Sequence, residues 1–375
     1  MSYLFCSFFL SLSMFINHVV MRYCKCMVIG IFSFMLLLTS CKGIQSDLYE
    51  EMTKIDAHVH IRTEKPDIME FAAAEGFKFL TINTRASSQA YIDEQMHFAR
   101  AIKEQYPDRI SYITTFSMEN FEDSSWATEV IRVLQKDFEE GAIGVKVWKD
   151  IGMTFRDSLN NFILIDDPRF DPIFDFIANN KKTVIAHIGE PKNCWLPLDS
   201  MTVNNDKLYF SEHPQYHMYL HPEYPSYEQL VASRDNLLAR HPDLKLVGAH
   251  LGSLEWSVDE LAMRLDQFPN LAVDMAARVC HFQVQDREKV RKFIIMYQDR
   301  LLYATDLVLS EKDDFEERKT WLEREWRSDW SYFATGDSLQ SPYVNGSFRG
   351  LKLDKDILRK IYYTNAVTWY PELFN

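Results

Sequence analysis

KIDAHVHI, residues 54–61, is an apolar, strand-forming run that carries two histidines two positions apart. Alternate side chains of an extended strand share a face, so His58 and His60 converge on one point. Seven further runs of the same character follow: FKFLTINT from Phe77, ISYITTFS from Ile110, AIGVKVW from Ala142, TVIAHIG from Thr183, KLVGAHLG from Lys245, LAVDMAA from Leu271 and LLYATDL from Leu301. Near-continuous apolar character marks strands covered on both faces, as in a parallel sheet. The segments between them have helical period: Leu254, Val258, Leu261, Leu265 and Phe268 form one apolar stripe. Pro168 behind a capping Asp167 opens one helix, and Gly76 and Gly141 stand where helices close. Eight strand–helix repeats predict an α/β protein with a (β/α)8 TIM-like barrel over residues 54–375. An open doubly wound sheet is the rival, but no G-x-G-x-x-G follows any strand. Two connections, residues 190–227 and 310–354, are long and aromatic, including Trp195, Tyr209, Phe210, Trp321, Trp326 and Trp330, and are expected to be lids inserted after strands five and eight.

The chain has 375 residues, 47% of them hydrophobic, and a formal charge of −13. That composition supports a full core and excludes a disordered or low-complexity chain. Such an acidic balance also disfavours nucleic acid, which requires a basic face. Before Cys41 the only charged residues are Arg22 and Lys25, and residues 27–38 form an apolar run of signal-peptide length. Leu38-Thr39-Ser40-Cys41 resembles a bacterial lipobox. Residues 1–41 are therefore expected to be an export segment, with translation starting at Met21 or Met27, lipidation at Cys41 and a tether over residues 42–53. The expectation is a lipid-anchored protein of the cell envelope, on the periplasmic side. A membrane helix near the N-terminus is the alternative. Cys194 and Cys280 are left over, and no disulfide is expected.

His187, His250 and Asp306 stand toward the C-terminal ends of their own predicted strands, where a barrel gathers its active-site residues. With His58 and His60 they supply enough nitrogen and oxygen donors for a divalent ion with an open position. The ordered set H-x-H, His, His, Asp on strands one, five, six and eight resembles the amidohydrolase superfamily, in its amidohydrolase-related (family 2) branch. Tyr363-Thr364-Asn365-Ala366 is similar to that branch's closing helix. The resemblance implies a barrel of the metal-dependent hydrolase type, with His58, His60, His187 and Asp306 holding the ion. His250 would then face the substrate, and Asp306 would accept the proton of a metal-activated water. Zinc is the leading metal, and Mn or Fe would accept the same ligands.

Lys146 on strand four divides the reading. Some superfamily members carboxylate this lysine to bridge two metals; a single-metal site leaves it an ammonium beside the substrate, and that is the expectation here. Arg85 and Arg278, after strands two and seven, are candidate clamps for an anionic group. Asp56 is expected to orient a ligand histidine. His213, His217 and His221 are read as lid or surface histidines, because Pro214 and Pro222 interrupt any long helix. The expected function is hydrolysis of an amide or lactone in a small molecule. Nonoxidative decarboxylation of an aromatic or unsaturated acid is the alternative, and a non-catalytic ligand-binding lipoprotein is the third. A homo-oligomer is compatible with all three.

Overall fold

The computed structural model describes residues 48–374, apart from residues 86 and 87. Cys41 and the expected export segment lie outside those residues. Among the described residues no helix is long and apolar enough to cross a membrane. The strands are β1 (Lys54–Arg62), β2 (Phe77–Ile82), β3 (Ile110–Thr115), β4 (Gly144–Val147), β5 (Thr183–Ala186), β6 (Leu246–Gly248), β7 (Leu271–Asp274), β8 (Leu301–Leu302) and β9 (Leu307–Ser310). They form one sheet in the order β8-β7-β6-β5-β4-β3-β2-β1-β9. Every pairing in that sheet is parallel.

The two strands at the ends of that order are halves of the single expected run LLYATDL. β8 pairs with β7 on one side, and β9 pairs with β1 on the other. Between the halves, Ala57 N donates to Tyr303 O at 3.0 Å and Asp306 N donates to His58 O at 2.9 Å. The sheet therefore closes on itself as a TIM-like barrel, its eighth strand broken where Asp306 takes a φ of 69°. Helices follow the strands around the outside, among them Gln89–Gln105, Trp126–Glu139, Tyr227–Arg240 and Val258–Gln267. Leu254, Val258, Leu261, Leu265 and Phe268 are all buried, so the apolar stripe packs inward as its period requires.

Within the ring, Ile55, Ala57, Leu80, Ile82, Ile113, Ile185, Val247, Ala272 and Leu302 make one apolar core. Trp369, Tyr370 and Leu373 of the C-terminal segment join it and plug its end. β1 contains a bulge: its register against β2 slips between Asp56 and Val59. An extra residue reverses which side chains face inward. Below the bulge Ile55 and Ala57 point into the core, and above it His58 and His60 do. Asp56 is turned outward, where its carboxylate accepts from Thr305 N at 3.0 Å, Thr305 Oγ1 at 2.6 Å and Trp326 Nε1 at 3.2 Å. Asp56 also accepts from the His58 backbone N–H, so it holds that histidine through its main chain and not through its ring.

The expected lid over residues 310–354 is also corrected in large part. It holds the helix Phe315–Ala334, whose Trp326 is fully buried and stacks on Phe77 with ring centroids 3.8 Å apart. Its aromatic content is mainly outer-layer packing. The connection after β5 is built of short 3-10 turns and the helix Asn204–Glu212.

Buried Asn365 donates from Nδ2 to Gln298 O and Leu301 O, both at 2.7 Å, and so fastens the C-terminal helix to β8. Replacing it with Ala takes this donor from the buried Leu301 O and the half-buried Gln298 O, at about 1–3 kcal/mol. Asn365→Ala should unfold at correspondingly lower denaturant, as followed by circular dichroism.

Candidate metal centre

His58, His250 and Asp306 are brought together at the C-terminal end of the ring, with one potential ligand atom from each lying within 4.8 Å of the others. His60 adjoins the group, its Nε2 3.2 Å from Asp306 Oδ1. His187 stands beside His250, ring centroids 4.3 Å apart, and outside the tight group. All four imidazoles are buried, while the Asp306 side chain keeps 31% of its surface exposed and so faces the mouth.

Each of three rings has its Nδ1 committed to an oxygen. His58 Nδ1 meets Asp274 Oδ2 at 2.9 Å, His60 Nδ1 meets Ile82 O at 2.6 Å, and His250 Nδ1 meets Ala276 O at 2.8 Å. Carbonyl and carboxylate oxygens only accept, so in each neutral ring the proton belongs on Nδ1 and the lone pair on Nε2. The bare nitrogens then face a carboxylate: His58 Nε2 lies 3.6 Å and His60 Nε2 3.2 Å from Asp306 Oδ1. Lone pair against lone pair is repulsive unless a cation lies between them, so this donor set fits a divalent ion.

The electrostatics agree. Burial lowers the pKa of His60 and carries that of His187 well below its ordinary value; it lowers His250 to about 3, against the pull of Asp306. These imidazoles are therefore neutral, as ligands must be. Burial would raise Asp306, but positive charge at the rings of His250, His60 and His58 outweighs it and draws the carboxyl well below its usual range, and a cation held among those same donors acts in the same sense. Lys146 on β4 is buried with its Nζ 3.4 Å from His58 Nε2, and desolvation lowers it to about 8.

The two candidate clamps occupy separate cavities. Arg85 is exposed, sits 5.7 Å from the Trp148 ring, and lines a cleft of about 680 Å³ with Lys149, Glu190, Tyr209 and Tyr216. Lys149 and Glu190 form an ion pair there. Arg278 lines a smaller cavity of about 190 Å³ with Trp321, Glu325, Asp329 and Tyr343, next to Ala304 and Thr305. Its Nη1 bonds the neighbouring Ala277 O, its Nε has no hydrogen-bond partner among the described residues, and its charge acts on both His187 and His250.

His213, His217 and His221 each bond a backbone carbonyl of the loop after β5, at 2.9, 2.8 and 2.9 Å. Cys194 and Cys280 are free and buried, and desolvation raises both thiols, which makes them poor nucleophiles. Asp274 went unrecognised in the sequence, although LAVDMAA ends a strand on an aspartate as LLYATDL does.

The family model described as Amidohydrolase matches residues 55–371. The chain belongs to the amidohydrolase family. No curated protein matches the sequence. Among solved structures, this amidohydrolase is similar to 2,6-dihydroxybenzoate decarboxylase from Rhizobium, with a TM-score of 0.52, 14% identity, and coverage of 85% of this chain and 99% of that one. The 2,6-dihydroxybenzoate complex of 2,6-dihydroxybenzoate decarboxylase gives 0.51, also at 14% identity and with the same coverage. A 5-carboxyvanillate decarboxylase from Sphingomonas paucimobilis gives 0.45 at 13% identity, covering 83% of each chain. At these identities the likeness is one of fold.

A histidine whose folded pKa is depressed takes up its proton more readily when unfolded, so its contribution to stability is lost as pH falls below the unfolded value. For His250 that window lies between 6.5 and about 3. In metal-free protein, the unfolding free energy of wild type should fall more steeply from about pH 7 to about pH 5 than that of His250→Ala. Equal slopes in urea titrations would contradict a neutral His250.

Proposed function

We propose that this amidohydrolase is a metal-dependent hydrolase that turns a water on the amide or lactone carbonyl of a small molecule. The observation that carries this reading is the convergence of unprotonated imidazole nitrogens on the ionised, mouth-facing Asp306. His58, His60, His187 and Asp306 are proposed as the ligands, with zinc foremost and Mn or Fe as substitutes. A divalent ion held there would lower the pKa of a water toward neutrality. Asp306 would accept that water's proton, and His250 would take it up on its bare Nε2 and give it to the leaving group as the bond to the carbonyl carbon breaks. Arg278 and Arg85 orient an anionic part of the substrate from their two cavities. The reading includes lipidation at Cys41 and a periplasmic location.

Decarboxylation is the second reading, and Lys146 favours it. A buried ammonium beside the centre is a partner for a substrate carboxylate, which hydrolysis of a neutral lactone does not require.

Metal-reconstituted protein should act on one member of a panel of lactones, amides and aryl carboxylates, and incorporation of oxygen from labelled water against release of carbon dioxide decides between the readings. Asp306→Asn should lower kcat/KM by about 10²–10⁴-fold. The His58→Ala/His60→Ala double variant should lose stoichiometric metal by elemental analysis. His187→Ala should lose metal, while His250→Ala should keep metal and lose turnover; the reverse pattern would exchange the roles of these two residues.

A further inference from the structure

Asp274, at the end of β7, is fully buried and belongs to none of the roles above. Its Oδ2 accepts from His58 Nδ1 at 2.9 Å. Its Oδ1 accepts two backbone N–H groups, from His250 at 2.9 Å and from Ala276 at 3.1 Å. Ala276 O in turn accepts the Nδ1 proton of His250 at 2.8 Å. One carboxylate thus holds the ring of a residue on β1, the backbone of a residue after β6, and the residue whose carbonyl aims the second ring.

The backbone at His250 needs such a hold. His250 has φ 57° and ψ 49°, Leu251 has φ 57° and Ser253 has φ 58°. Left-handed conformation costs about 1–2 kcal/mol per non-glycine residue. Gly248 and Gly252 permit the turn, since a Cβ on Gly248 would meet Gly252 Cα at 2.8 Å. A fixed acceptor beneath His250 N–H, together with Ala276 O at its Nδ1, holds its imidazole next to His58, 5.1 Å between ring centroids.

We propose that Asp274 is a positioning residue that sets the tautomer of His58 and the place of His250 together, and so ties the donor set of the centre to its proton carrier. An acceptor-only group on His58 Nδ1 forces the proton there and leaves Nε2 bare toward Asp306. The inference rests on the reading of His58 as a metal donor, but its tautomer arm is measurable without metal.

Asp274→Asn separates this role from a merely structural one. The amide oxygen can still accept the two backbone N–H groups, while the amide NH2 now faces His58 Nδ1. That ring nitrogen must then give up its proton, and Nε2 gains one. In ¹⁵N-histidine spectra of metal-free protein, with His58 assigned by its loss in His58→Ala, wild type should show the Nδ1–H tautomer and Asp274→Asn the Nε2–H tautomer. Cobalt titrated into the same samples should bind the variant about 10–100-fold more weakly, at an unchanged melting temperature. Asp274→Ala, without either acceptor, should also shift the His250 resonances. Wild-type tautomer and cobalt affinity in Asp274→Asn would overturn the proposal. An Asp274→Asn variant that keeps the wild-type tautomer and yet loses cobalt would overturn it as well. Wild-type protein that binds no cobalt, with the tautomer switch intact, would overturn the metal-centre reading and leave the positioning role standing.

Discussion

The hydrogen bond from Asp306 N to His58 O is the contact on which both barrel and site depend. It is part of the seam that joins the first strand to the eighth and removes the sheet's open edges. It also sets the Asp306 carboxylate beside the His58 and His60 rings. The left-handed residue at Asp306 breaks the eighth strand there, and the broken strand frees the side chain to lean toward the mouth. Closure and ligand geometry are consequences of one local distortion.

Electrostatic balance follows from that placement. An ionised carboxylate and several neutral imidazoles share a poorly hydrated space in which like dipoles repel and isolated charge is costly. The Nδ1 hydrogen bonds to Ile82 O, Ala276 O and Asp274 lock the proton positions of His60, His250 and His58, so none of these three can relieve the repulsion by a change of tautomer. Lys146 supplies one positive charge nearby, though burial weakens its hold on the proton. A divalent cation is the natural complement to such a set.

The barrel was legible because buried parallel strands leave long apolar runs, and all eight runs read from the sequence are strands. His58, His60, His250 and Asp306 were legible as a group because strand ends of a barrel share one mouth. The partners of Asp56 were not legible because a β-bulge leaves no mark in the alternation of KIDAHVHI, and one added residue is enough to turn the carboxylate outward to Thr305 and Trp326. The Phe315–Ala334 helix was taken for lid because its tryptophans resemble ligand-facing aromatics; Trp326, stacked on Phe77, serves the outer layer, while Trp321 lines the Arg278 cavity. Asp274 escaped notice because its role lies in what it bonds. Arg85 and Arg278 were placed in the sequence after strands two and seven, and the cavities they line, which depend on side chains from other elements, were not legible there.

The inserted residue of β1 also divides the cylinder along its axis. Beneath it every inward position on that strand is hydrocarbon, continuous with the plug formed by Trp369, Tyr370 and Leu373; above it every inward position is a base. Floor and workshop are thus built by separate registers of one strand. A substitution at His58 or His60 therefore removes a donor at the mouth without opening a void in the oily foundation that keeps the cylinder standing.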